Sequence, residues 1–192
     1  MSNTHIRTAS GALVDLMNPQ PSDIDFRDIA HALSQICRFT GHTAFFYSVG
    51  QHSLQMVDIV SKQAEPYALL HDAKEAFIQD LSTPMKNALD QKIEYGAQSY
   101  RAIDETFDAA IFIAAGLQYP MPTEIRDEIK EADALLLAAE QIKLMHSADI
   151  EFSCGDLWKQ INPQPMSEVR HAFGNACQRL LPCFNLMKGL AS

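Results

Sequence analysis

Apolar residues recur at helical spacing along nearly the whole chain, and alternation with a period of two is scarce, so the pattern predicts an all-α domain. Residues 1–22, with Gly11, Pro19 and Pro21, read as an irregular or short extended lead-in. A first helix carrying Ile29, Leu33 and Ile36 is predicted to end near Thr40 and Gly41. Ser48 with Gln51 has the form of a capping box, and the helix it opens has Val49, His52, Met56 and Ile59 on its inner stripe. Pro66 suits the first turn of a helix predicted to run to about Gln79, before Ser82-Thr83-Pro84 breaks it. One or two helices should cover residues 86–116. Thr123 can then cap a long helix with Ile125, Ile129, Ala132, Leu136 and Ala139 facing inward, and a last amphipathic segment is expected around Val169 to Leu181.

Composition narrows the class. With 192 residues and 47% hydrophobic content the chain has enough apolar mass for one core, and neither repeats nor low-complexity tracts divide it. The expected organisation is a single domain over 1–192: a lead-in over 1–27, a core over 28–145 and a C-terminal helical segment over 146–192. A formal charge of −9 argues against binding duplex nucleic acid. Cys37, Cys154, Cys177 and Cys183 form no C-x-x-C pair and read as reduced residues of a cytoplasmic protein. The absence of an apolar h-region and of a long apolar run predicts no export and no membrane partner.

The chemistry concentrates in ALLHDAKEAFIQDLSTPMK, from Ala68 to Lys86. At about 100° per residue, His71, Asp72 and Glu75 share one side of a helix there, opposite Leu69, Leu70, Ala73, Ala76 and Phe77. His52 and Asp133 add polar groups on or beside two other apolar stripes, and a buried carboxylate costs several kcal/mol unless it finds a partner. One metal ion would answer all four groups. Two imidazoles with two carboxylates suit Zn²⁺, Mn²⁺, Fe²⁺ or Co²⁺ better than the all-oxygen cages of calcium. His31, His146 and His171 have no spacing that joins them to this set and read as structural or surface residues.

The order H…HD…D, carried by GQHSLQ at 50–55, LLHDAKEAFIQDLSTPMK at 69–86 and KEADALLLAAE at 130–140, resembles the HD-domain metal-dependent phosphohydrolases. Within that superfamily the chain is most similar to the nucleotide-cleaving branch that includes bacterial 5′-deoxynucleotidases and phage dATP triphosphohydrolases. The similarity runs from about Asp28 to Met145 and includes DIAHALSQICRFTGHTAFFYSV. It implies a compact helical HD-domain bundle in which His52, His71, Asp72 and Asp133 ligate the catalytic metal, with Mg²⁺ a candidate additional ion. It implies further that Glu75 and Asp80 position or activate water and protonate the leaving group. Arg38 and His42, in the CRFTGHT segment that contacts substrate in related enzymes, and Lys86, after a proline that related sequences often follow with lysine, are the candidate phosphate contacts. Lys74 is a weaker one, and Phe39, Phe45, Phe46 and Tyr47 read as core more than as a stacking surface for a base. Many relatives have Glu directly before the first ligand histidine where this chain has Gln51, so a charge supporting the ligands is expected to be missing there.

The expected activity is cleavage of a small-molecule nucleotide at the α-phosphorus, with a dNTP, dATP-type, triphosphohydrolase releasing deoxynucleoside and triphosphate as the first choice. A 5′-deoxynucleotidase acting on dNMPs is the alternative. A phosphodiesterase or alarmone hydrolase ranks third for want of extra segments, and a non-catalytic metal or nucleotide sensor is disfavoured by intact Glu75 and Asp80. Relatives of this branch are commonly oligomeric, so a homo-oligomer is expected.

Overall fold

The structure is a computed structural model that describes residues 4–93, 96–145 and 154–184. His146 therefore lies outside the described residues. The lead-in is a small antiparallel hairpin, β1 (His5–Arg7) paired with β2 (Leu13–Asp15), and Gly11 turns its tip with φ 91°. Among the described residues eight α-helices follow: α1 (Phe26–Leu33), α2 (Val49–Ile59), α3 (Glu65–Leu70), α4 (Glu75–Ile78), α5 (Thr83–Lys92), α6 (Gly96–Ala115), α7 (Thr123–Met145) and α8 (Met166–Leu180). The all-α expectation holds.

One core joins five of these helices, through Ile29 and Leu33 of α1, Met56 of α2, Phe107 and Ile111 of α6, Leu136 of α7 and Phe173 of α8. α2 lies in the middle, against α1, α3, α7 and α8. Seven of its residues from Val49 to Val57 are buried, so its polar His52 and Ser53 have no solvent side to turn to. Its approach to α1 and α8 depends on Gly50, where a Cβ would stand 3.1 Å from both the Leu33 carbonyl carbon and Val169 Cγ1.

Two predicted helices end earlier than the sequence reading has them. α1 ends at Leu33, not near Thr40 and Gly41, because the chain leaves it to pair with the segment before α2: Arg38 N–H donates to Tyr47 O and Val49 N–H to Ile36 O. Arg38 to Gly41 then form a short 3₁₀ turn in which Phe39 and Thr40 take left-handed φ of 54° and 53°. This excursion carries Arg38 inward.

The helix expected to run to Gln79 is interrupted after Leu70. In a regular helix the Ala68 carbonyl would serve the Asp72 N–H, but it accepts from the His71 ring at 2.7 Å. Main-chain bonds from Ala73, Glu75, Ala76 and Phe77 then reach back only three residues, overwinding the turn before α4. The capping box before α2 is half formed. Ser48 Oγ accepts from Gln51 N–H, whereas the Gln51 side chain donates to Asn162 O at 2.7 Å and accepts from Gln164 N–H at 3.0 Å.

Candidate metal centre

His52 from α2 and His71 with Asp72 from the overwound turn after α3 converge, each offering one donor atom, with those atoms all within 4.8 Å of one another. His52 Nε2 lies 3.3 Å from His71 Nε2 and 3.1 Å from Oδ1 of Asp133, which α7 contributes from the opposite side. Asp72 Oδ2 stands 3.1 Å from His71 Nε2 and 3.8 Å from His52 Nε2. Partners assign the tautomers. His71 Nδ1–H donates to Ala68 O and His52 Nδ1–H to Glu140 Oε1 at 2.7 Å, so both Nε2 lone pairs point inward.

Two lone pairs and two carboxylates facing one another repel unless a positive charge sits among them. Donors bound to a divalent ion at about 2.0–2.2 Å stand about 3.0–3.5 Å from one another in tetrahedral or octahedral arrangements. Three of the four spacings fall in that range, so the His/His/Asp cluster can coordinate a divalent metal. Burial and the nearby Arg38 pull the His52 ring downward, yet Glu140 and Asp133 lift it further, to about 9. The same field that favours a proton there favours a metal cation. Asp72 resists its burial and is held well below the usual carboxylate range by His71, His52 and Arg38.

The proposed acid and base residues lie beside this cluster. Glu75 is buried, and its Oε2 has no hydrogen-bond partner among the described residues. Burial, then Asp72 and Asp80, push its carboxyl up to about 10. Asp80 is raised by burial and by Asp72, with Arg38 and Lys86 opposing. It stands on the wall of a cavity of about 610 Å³, lined also by Arg7, Thr8, His31, Gln35 and Thr40.

The candidate phosphate contacts fare unequally. Arg38 is buried, its Nε 3.0 Å from Glu140 Oε2 and its Nη1 3.6 Å from Asp72 Oδ2, so much of its fork is already engaged. His42 is exposed just after the 3₁₀ turn. Lys86, on the first turns of α5, has its Nζ 5.4 Å from the centre of the Tyr100 ring. Lys74 is neither solvated nor available: it bridges Asp108 at 2.9 Å and Asp104 at 3.1 Å. Of the aromatic residues near Arg38, Tyr47 is in the core as expected and Phe39 packs against it, but Phe45 and Phe46 are exposed.

Two matches extend over nearly the whole chain. It is 31% identical over 191 residues to the uncharacterized protein YfdR of Escherichia coli (strain K12), covering 95% of this chain and 97% of that protein. The chain belongs to the YfdR family. A second relative, the uncharacterized protein RCAP_rcc00048 of Rhodobacter capsulatus, is 35% identical over 187 residues, covering 87% of this chain and 90% of its own. No protein-family model matches the chain.

For this member of the YfdR family the main omission of the sequence reading is Glu140. The charge expected to be missing because Gln51 precedes His52 is present, supplied by α7 instead. Its seven-residue separation from Asp133, two turns along one helical face, is the signal that could have found it. Gln51 has other work: an amide can both donate to Asn162 and accept from Gln164, which a carboxylate cannot. The cavity wall formed by Arg7, His31 and Gln35 had no local motif.

Proposed function

We propose that the chain is an HD-domain metal-dependent phosphohydrolase that cleaves deoxynucleotides at the α-phosphorus, with dNTPs of the dATP type as first substrates and deoxynucleoside plus triphosphate as products. The observation that carries the reading is the inward pointing of both histidine Nε2 lone pairs beside two carboxylates, with Glu75 Oε2, which has no hydrogen-bond partner among the described residues, close enough to feel the Asp72 charge. His52, His71, Asp72 and Asp133 would hold Zn²⁺, Co²⁺, Mn²⁺ or Fe²⁺, and a Mg²⁺ ion could accompany the substrate. A divalent ion there supplies positive charge that acidifies water and offsets charge on the phosphoryl oxygens.

The protein groups then have distinct tasks. Glu75 Oε2, an acceptor with no partner among the described residues, takes the proton of the attacking water once positive charge beside Asp72 has returned it to the carboxylate form. The water oxygen bonds to the α-phosphorus as the phosphorus–O5′ bond breaks, and in this reading Asp80 passes to O5′ the proton that the leaving oxygen takes up. The nucleoside therefore lies on the Asp80 side, in the cavity next to Gln35 and Thr40. Arg38, His42 and Lys86 face the phosphate tail in this reading. It also takes the enzyme to be cytoplasmic and self-associating, the latter supported by exposed Phe45 and Phe46. Among the described residues no helix is long and apolar enough to cross a membrane.

A second reading, a 5′-deoxynucleotidase, is favoured by one observation: Lys74 is engaged by Asp104 and Asp108, leaving fewer cations for a triphosphate tail than the sequence offered. Incubation with Mn²⁺, Co²⁺, Zn²⁺ or Mg²⁺ and a panel of dNMPs and dNTPs, followed by chromatography, distinguishes the two. Deoxynucleoside with intact triphosphate is the expected product pair; release of inorganic phosphate from dNMPs alone would select the second reading. No cleavage of any nucleotide with any metal would end both.

A further inference from the structure

We propose that Glu140 is the positioning residue of the metal centre, fixing the proton of His52 on Nδ1 and thereby aiming its Nε2 at the metal. The inference rests on the metal-binding reading of the cluster and not on nucleotide cleavage. Glu140 is fully buried on α7, with the Tyr47 hydroxyl beside it, and turns one oxygen to His52 and the other to Arg38. Oε1 accepts from His52 Nδ1–H at 2.7 Å, and Oε2 accepts from Arg38 Nε–H at 3.0 Å. An arginine used only to neutralise a buried carboxylate can take both oxygens with its fork. Here it takes one, keeps Glu140 ionised and leaves the other oxygen for the ring.

The two histidines are thus aimed by different devices. His71 is set by a main-chain carbonyl that its own turn provides, whereas His52, on a different helix, depends on a charge 88 residues away. A carboxylate partner also raises the basicity of the opposite ring nitrogen, strengthening it as a ligand.

Two substitutions separate positioning from mere nearby charge. Glu140→Asp keeps the charge and withdraws the contact by one methylene. Glu140→Gln keeps the length, but its amide must either set an N–H against the Arg38 N–H or turn an N–H toward His52 Nδ1, which favours the wrong tautomer. The readout is Zn²⁺ affinity of the full chain by competition with a chelator. Both variants are expected to bind about ten- to a hundredfold more weakly, the usual loss when such an outer partner is removed. Wild-type affinity in Glu140→Asp would overturn the proposal.

Should the variants fail to fold, the unaltered protein still decides. In a histidine-¹⁵N-labelled, Zn²⁺-loaded sample, His52 is expected to carry its proton on Nδ1 and none on Nε2, and a ring protonated on Nε2 would overturn the assignment. Neither readout needs turnover. A protein that passes both yet cleaves no nucleotide would sink the phosphohydrolase reading and leave Glu140 in this role.

Discussion

Lys74 and Glu75 are neighbours in the chain, and the charge clusters they enter are built on opposite plans. Lys74 reaches α6, where Asp104 and Asp108 answer it at 3.1 and 2.9 Å. Glu75 turns toward Asp72 and Asp80, like charges, and leaves one oxygen without a partner among the described residues. Opposite charges raise Lys74 above its ordinary value, although on Asp108 burial outweighs Lys74 and moves that carboxyl up to about 6. The first cluster completes itself within the protein. The second, with His52, His71 and Asp133, has an excess of acceptors that only an added cation or proton completes, and such imbalance suits the place to holding a cation.

Removing a ligand should produce the largest effect. His71→Ala and Asp133→Ala are expected to lose bound metal by elemental analysis and to lower turnover by more than about a thousandfold, equivalent to about 4 kcal/mol of transition-state stabilisation. Retained activity in Asp133→Ala would remove α7 from the ligand set.

Glu75→Gln comes next and should split function from stability. Metal content is expected to stay while turnover falls about a hundred- to a thousandfold, the range of a lost acid or base. In the metal-free protein folded Glu75 keeps its proton to about pH 10, against an ordinary value of 4.5. The unfolded chain binds fewer protons between those values, so this group lowers stability as pH rises through the window. Urea unfolding of metal-free Glu75→Gln at pH 7 should therefore show a gain of about a few kcal/mol over the parent, shrinking toward pH 4. An equal gain at both pH values would contradict the raised carboxyl.

Lys74→Met tests the other cluster. Leaving two carboxylates without their cation should cost about 2 kcal/mol in the same unfolding measurement, with turnover changed less than severalfold. A loss of turnover comparable to that of Glu75→Gln would show Lys74 serving the reaction. Smallest of all, Ser48→Ala removes the cap of α2 and is expected to cost about 1 kcal/mol, a melting shift of a few degrees, with metal affinity within about twofold.

What the sequence showed and hid follows the range of the interactions. The α7 and α8 segments were legible because apolar spacing and proline breaks act within a few residues, whereas α5 and α6 were read only as one or two helices over 86–116. His52, His71, Asp72 and Asp133 stood out because polar groups on apolar stripes are costly; the fold gathers His52, His71 and Asp72, and sets Asp133 3.1 Å from His52. Helix interruption at His71 escaped because a side chain takes a main-chain carbonyl there, leaving no breaker residue as a sign. Glu140 escaped because its partners are Arg38 and His52, 102 and 88 positions away. Lys74 could be read as a weak phosphate contact because its partners Asp104 and Asp108 belong to a distant helix.

Gly50 makes the inner ring of His52 a matter of tenths of an ångström. A methyl group in place of its hydrogen would meet the Leu33 backbone and Val169 at 3.1 Å, and backbone gives way less easily than a side-chain tip. Relief by a shift of α2 would carry with it the imidazole two residues on. The clearance between three helices therefore sets how tightly an ion could be gripped, so an alanine at position 50 would detune the centre without touching one atom of it.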